Sequence, residues 1–342
     1  MAIFPDQASL RAAVAPFERA SRRRSLFQLA NTIIPYLLLL AAMYFSLSLS
    51  YWLTLALAVP AAGFLVRSFI IFHDCGHNSF FRSRRANRIG EFWTGLLSFM
   101  PAYCWSRNHA IHHATSGDLD QRGTGDIWMV TVQEYRSVSR LRRISYRLYR
   151  HPLVLFGLGS LFIFLFEYRI WHRGANAKQR WNILRTNGAI AAIVLIAALT
   201  IGIKSYLLIQ LPILVLAGAA GIWLFYVQHQ FEDTSWERHE QWNFAQQALE
   251  GSSFYKLPGI LQWFSGNIGY HHIHHLSPRI PNYFLQKCHE SSAIFRDVKP
   301  LTLRSSLRSL RFRLWDEERR RLVGFDAASA PLREYYEGNC RG

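Results

Sequence analysis

Acidic residues are scarce in this chain of 342 residues, where 22 Asp and Glu face 39 Lys and Arg for a net charge of +17. Such a surplus would suit nucleic acid, but no recognition motif is present and the arginines form no groove-sized patch, so no nucleic acid is expected as a partner. Cysteine is also sparse. Cys75, Cys104, Cys288 and Cys340 form no CxxC or zinc-ribbon spacing, and they read as reduced, unpaired thiols on the cytoplasmic side. No GxGxxG fingerprint, haem-attachment motif or ferredoxin-type cysteine run occurs, so any electrons must come from a separate protein. HExxH is missing too, which removes the commonest zinc hydrolase reading.

Charge of either sign vanishes over two long runs. Residues 25–66 hold no charged side chain, and residues 186–231 hold only Lys204. A span needs about 20 apolar residues, so each run has room for two. The expected spans are 28–49, 51–71, 184–203 and 206–227. This makes residues 1–342 a single all-α membrane domain of two transmembrane hairpins with a cytoplasmic helical cap. The hairpin tips are nearly free of charge, while Arg22, Arg23 and Arg24 and the segments after each hairpin are strongly basic. The positive-inside rule therefore puts both termini, residues 73–181 and residues 228–342 in the cytoplasm. Four shorter segments carry further expectations. Residues 1–24 read as an amphipathic interfacial helix ending in the arginine run, not as a cleavable signal peptide. Residues 89–104 and 152–167 read as re-entrant or interfacial, and 307–322 as a basic surface helix.

Histidine is what the chain does have, at ligand spacing. HDCGH supplies His73 and His77, HAIHH supplies His109, His112 and His113, and HHIHH supplies His271, His274 and His275. On a helix, positions i, i+3 and i+4 share one face, so each cluster directs its imidazoles one way. All three clusters fall on one predicted side of the membrane. His229, at the same end of the fourth span, is a candidate ninth ligand. His272 lies off the ligand face and is expected to pack or hydrogen-bond, while His151, His172, His239 and His289 are isolated. Asp74, Asp118, Asp120, Asp126, Glu232 and Asp233 are candidates to orient the rings. Gly266, Asn267 and Gly269 can shape a tight turn before the last cluster.

So many neutral nitrogen ligands exceed what one zinc takes and suit two transition metals, and imidazole is a good iron ligand. Two irons with neutral ligands can bind and reduce O2 and take hydrogen from an unactivated C–H bond. A bis-histidine haem carrier would place its histidines within the spans rather than at their ends.

These clusters resemble those of the integral-membrane fatty acid desaturases, whose hallmark is HxxxH, HxxHH and HxxHH at such intervals. The resemblance extends to FIIFHDCGHNSFF, WLFYVQHQFEDTSWE and FSGNIGYHHIHHLSPRIPNY, and covers roughly residues 24–318, with the tail from about 325 unshared. It runs closest to bacterial acyl-lipid desaturases of the Bacillus Δ5 phospholipid type. It implies an O2-dependent enzyme with two iron ions in the bacterial inner membrane, introducing a cis double bond into acyl chains of membrane glycerolipids. Ferredoxin or flavodoxin would be the electron donor. The family's ligands fall on His73, His77, His109, His112, His113, His271, His274 and His275, with the extra histidine on His229. The first cluster carries glycine where the Bacillus type has a second cysteine. The position of the bond therefore stays open between Δ5 and Δ12 or Δ9. A hydroxylase or carotenoid ketolase on the same scaffold is the alternative.

Overall fold

The computed structural model describes residues 5–328, so Cys340 lies outside the described part. The chain is helical throughout its long elements, and four helices are long and apolar enough to cross a membrane. Helix α1 (Gln7–Val14) is capped by Asp6, whose carboxylate accepts from the Ser9 N–H at 2.8 Å. The first hairpin is α2 (Arg22–Ser46) with α3 (Tyr51–Gly76). Then follow α4 (Arg84–Leu97), α5 (Ala102–Thr115), α6 (Val132–Ser137), α7 (Arg140–Tyr149) and α8 (Gly159–Leu165). The second hairpin is α9 (Ala177–Thr200) with α10 (Ile203–His229). After it come α11 (Phe244–Glu250), α12 (Gly259–Phe264), α13 (His271–Leu276) and α14 (Asn282–Ser291). Two small sheets complete the described chain: β1 (Phe254–Lys256) parallel to β2 (Pro300–Thr302), and β3 (Leu314–Asp316) antiparallel to β4 (Arg321–Val323).

The spans pack through small residues. Ala58, Ala61 and Ala62 of α3 are fully or nearly buried against Tyr36 and Met43 of α2 and Ile209, Ile213 and Ala217 of α10. Without a hydrophobic drive between helices in lipid, such side chains let backbones approach closely enough for dispersion to hold them. Ser46 and Thr54 share a buried hydrogen bond of 2.7 Å that pins the first hairpin near its tip. Pro35, Pro60 and Pro212 sit inside three of the spans. Neighbouring helices make this tolerable where an isolated helix would break. The outward faces stay apolar: Phe45, Trp52 and Leu199 are exposed, and only 11% of the apolar window of α9 is buried.

Because both hairpins turn tightly, α3 and α10 end where α2 and α9 begin. The intervening and following segments gather at that end. The helices overrun the expected spans there, with α3 continuing through the first histidine cluster to Gly76 and α10 ending on His229.

Three expectations are corrected, and a fourth segment is described beside them. Residues 1–24 do not form one helix: α1 ends at Val14, a 3-10 turn follows over Ala15–Phe17, and Arg22, Arg23 and Arg24 form the first turn of α2. Residues 89–104 are not one segment, because the chain breaks between α4 and α5 where Phe99 adopts φ of 59° and Pro101 caps α5. The 152–167 run, expected to be re-entrant or interfacial, follows α7 at a sharp bend, the two stretches Arg140–Tyr149 and Leu153–Arg169 meeting at 64°, a geometry that a re-entrant segment has. Its Leu155 and Phe156 pack on Tyr226 of α10. Residues 307–322 are not a helix. A 3-10 turn at Leu307–Arg311 leads into the β3–β4 hairpin, where Asp316 accepts from the N–H groups of Glu318 and Arg319 and Arg320 takes φ of 51°. Trp315 is buried and donates its N–H to Val130, so tertiary burial overrides the helical period.

Candidate metal centre

Four helix ends converge on one buried spot. His73 lies in the last turn of α3 and His77 caps it, His229 is the last residue of α10, and the last turns of α5 and α13 bring His112, His113, His274 and His275. Helix C-termini carry partial negative charge, so the convergence favours a cation before any ligand is counted. α13 is placed by the turn before it. Gly266 and Asn267 take positive φ of 54° and 61°, and a Cβ on Gly269 would stand 2.3 Å from the Tyr255 carbonyl oxygen. Only glycine allows that approach, which seats α13 against β1.

The nine candidate histidines all come together, but as two groups rather than one. His73, His77, His109, His113 and His274 form one, and His112, His229, His271 and His275 the other, with one ligand atom of each residue within 4.8 Å of the rest of its group. Each triad is divided between them. From residue i, position i+4 is rotated about 40° one way around the helix and i+3 about 60° the other. His109 and His113 thus serve the first group while His112 serves the second. His271 and His275 serve the second while His274 crosses to the first.

The nitrogens fit metal ions. Nε2 of His113 stands 3.1 Å from that of His109 and 3.0 Å from that of His274. Nε2 of His229 stands 3.1 Å from that of His112 and 3.0 Å from that of His271. Two nitrogens each about 2.1 Å from a shared metal at a right angle would be about 3.0 Å apart. Nε2 of His77 and of His275 is buried with no hydrogen-bond partner. His112 faces the Asp126 carboxylate with Nδ1 at 2.5 Å, and His73 faces Asp74 with Nδ1 at 3.0 Å. These carboxylates put the proton on Nδ1 and leave Nε2 a lone pair aimed inward. Lone pairs facing each other at 3 Å repel until a cation lies between them. Burial, followed by the neighbouring imidazoles, pulls His77, His109, His113, His271, His274 and His275 well below the ordinary histidine value. They are neutral at physiological pH, the state in which imidazole binds metal.

The other expected carboxylates are engaged elsewhere. Asp118 meets His239 at 2.6 Å, Asp120 pairs with Arg238, Glu232 with Arg308 and Asp233 with Lys299. Asp74 also accepts from the backbone and side-chain N–H groups of Asn282, at 2.6 and 2.8 Å. His272 turns away from both groups and contacts His289, nitrogen to nitrogen, at 3.1 Å, and burial takes it down to about 3. Sequence reasoning missed the apolar walls. Trp105 stacks on His109 with ring centroids 4.5 Å apart, and Phe225 packs on His112 and His229. Each wall residue sits four positions before a histidine it touches, so the same helical period would have found them. Nothing in the sequence pointed to the Gly251 carbonyl and the Ser116 hydroxyl, which meet Nδ1 of His229 at 3.3 and 3.4 Å. Cys75, Cys104 and Cys288 are buried and unpaired, away from the ligand sets.

Residues 46–300 match the family model described as fatty acid desaturase. A "Fatty acid desaturase" from Bacillus subtilis (strain 168) is 52% identical over 94% of this chain and 91% of its own length. An "sn-1 oleoyl-lipid 12-desaturase" from Anabaena variabilis is 26% identical over 86% of this chain and 84% of its own. An "sn-1 acyl-lipid omega-3 desaturase (ferredoxin)" from Synechocystis sp. (strain ATCC 27184 / PCC 6803 / Kazusa) is 28% identical over 68% of this chain and 64% of its own.

Proposed function

The chain belongs to the fatty acid desaturase family of oxidoreductases, and on that premise we propose that it is an O2-dependent di-iron acyl-lipid desaturase that introduces a cis double bond into membrane lipid acyl chains, at the Δ5, Δ9 or Δ12 position. The observation that carries this is the division of nine histidines into two adjoining nitrogen cages with no carboxylate inside either. Zinc hydrolysis needs one such cage, and a haem carrier needs two opposed rings. Two cages that share helices suit a metal pair.

Two irons held there would supply the activation of O2 that lets hydrogen leave an unactivated C–H bond. The rest falls to side chains. His73, His77, His109, His113 and His274 would hold one ion and His112, His229, His271 and His275 the other. Asp74 and Asp126 fix two of the rings by their Nδ1 protons. Trp105 and Phe225 present apolar rings beside the cages, where they would keep water off. The sequence carries no haem-attachment, GxGxxG or ferredoxin-type cysteine motif, so electrons would come from ferredoxin or flavodoxin, the first of which the Synechocystis relative's name carries. The basic residues around the site end of the bundle favour a cytoplasmic side for it under the positive-inside rule, the side on which such a donor would be met.

Expression in a bacterium without such enzymes, followed by mass spectrometry of its phospholipids with double-bond derivatisation, tests the reading. Wild type should yield a new cis-unsaturated chain at one position, and His113→Ala should yield none while the protein stays in the membrane. Hydroxylated chains would instead favour a hydroxylase on this scaffold. Full activity and iron in His113→Ala would remove the ligand assignment.

A further inference from the structure

A cavity of about 430 Å³ opens beside the histidine end, between the ends of α2 and α3 and the short helix α12. Its wall holds two cations, Arg67 and Lys256, and no carboxylate. Arg67 is only 6% exposed, yet it forms no ion pair among the described residues. Its guanidinium donates to the Thr32 hydroxyl at 3.1 Å and to the Trp263 carbonyl, and lies 3.9 Å over the Trp263 ring. A buried cation with neutral partners alone is costly to keep, and an arginine fork is shaped for carboxylate or phosphate. Around it stand amides able to donate. Gln28 already donates to Asn282 at 2.9 Å, whereas the buried Nε2 of Gln262 has no partner at all.

The surroundings say which anion. Arg67 precedes His73 by six residues on α3, about 9 Å along the helix toward the bilayer. Ile260, Leu261 and Trp263 of α12, the helix that floors the cavity, are exposed and apolar, as for a helix lying in the lipid interface. A cationic, donor-rich cavity at head-group depth fits the phosphodiester of a phospholipid. We propose that this cavity seats the head group of the phospholipid whose acyl chain reaches the histidine centre, an inference that rests on the acyl-lipid reading above. Asn282 joins the two places: its amide carbonyl faces Gln28 in the cavity wall, and its N–H groups hold Asp74, which in turn meets His73.

The test compares purified wild type, Arg67→Met, Arg67→Lys and Lys256→Gln in nanodiscs of phosphatidylglycerol or of uncharged monogalactosyldiacylglycerol with the same acyl chains. The ratio of turnover on the phospholipid to that on the galactolipid should fall about tenfold in Arg67→Met through a higher KM, as expected for losing a charge-assisted contact. Arg67→Lys should recover part of the ratio, and Lys256→Gln should lower it less. Native mass spectrometry in detergent should show less phosphatidylglycerol retained by Arg67→Met, and excess inorganic phosphate should not displace it from wild type. Lys256 is exposed, so its variant carries the test even where Arg67→Met fails to fold. A ratio unmoved in both charge-removing variants, or lipid displaced by inorganic phosphate, would overturn the head-group seat. Wild type that converts neither lipid would sink the acyl-lipid reading and the substrate role with it. A wild type that converts both with an unmoved ratio loses the seat alone.

Discussion

At the residue scale, His73 and His112 are the candidate ligands whose second nitrogen meets a carboxylate. Outer partners of this kind orient the ring and raise its basicity, and losing one costs about 10–100-fold in metal affinity. Asp126→Asn should therefore surrender metal to a chelator at a concentration lower by about that factor. Asp118→Asn, whose carboxylate meets the exposed His239, should hold metal as wild type does. Metal content after a chelator titration checks both, and equal behaviour of the two variants would refute the distinction. His272 and His271 are neighbours with opposite fates, one turned to His289 and one to His229. His271→Ala should abolish desaturation while His272→Ala keeps substantial activity; equal losses in a lipid-profile assay would move the ligand face by one residue. Spacing alone placed His271, His274 and His275 on one helical face and His272 off it. It did not divide the triads, because that requires knowing that α5 and α13 flank the two cages from different sides.

At the element scale, long elements were legible and short ones were not. Two long runs whose single charge is Lys204 announce the hairpins, since nothing but lipid or a core accepts so long an apolar stretch. The β3–β4 hairpin was not legible. Its apolar residues Leu314, Trp315 and Leu322 fall at helical spacing, and burial against Val132, Tyr135, Met129 and Trp236 holds them as strands. The placement of α13 depends on a close approach that sequence hints at only through Gly266, Asn267 and Gly269. Gly269→Val would press its side chain on the Tyr255 carbonyl and push α13 outward. Since α13 serves both groups, this variant should lose metal from both rather than from one, measured as iron per protein. A variant holding half the wild-type iron would show that the two groups fill independently of α13.

At the scale of the whole molecule, the buried imidazoles couple acid to unfolding. In His77, His109, His113, His271, His274 and His275 the folded chain holds protons less tightly than the unfolded chain, whose histidines titrate near 6.5. Above that pH neither state carries the protons, and stability is whole. Below it the unfolded state takes them up first, so stability falls as pH falls. Metal-stripped protein in detergent should thus show a melting temperature that drops steadily from pH 7 to about pH 5, and a flat profile would contradict the buried, neutral cluster. The division of the triads carries one more consequence, for biosynthesis. Neither nitrogen cage is complete without α13, which starts at His271, after α3, α5 and α10 have been made. Nascent chain shorter than that offers four histidines of the first group and only two of the second. Full loading with metal would therefore come late, after the four long helices have been made, and a cell short of that metal would accumulate full-length, metal-poor protein rather than unfinished chains.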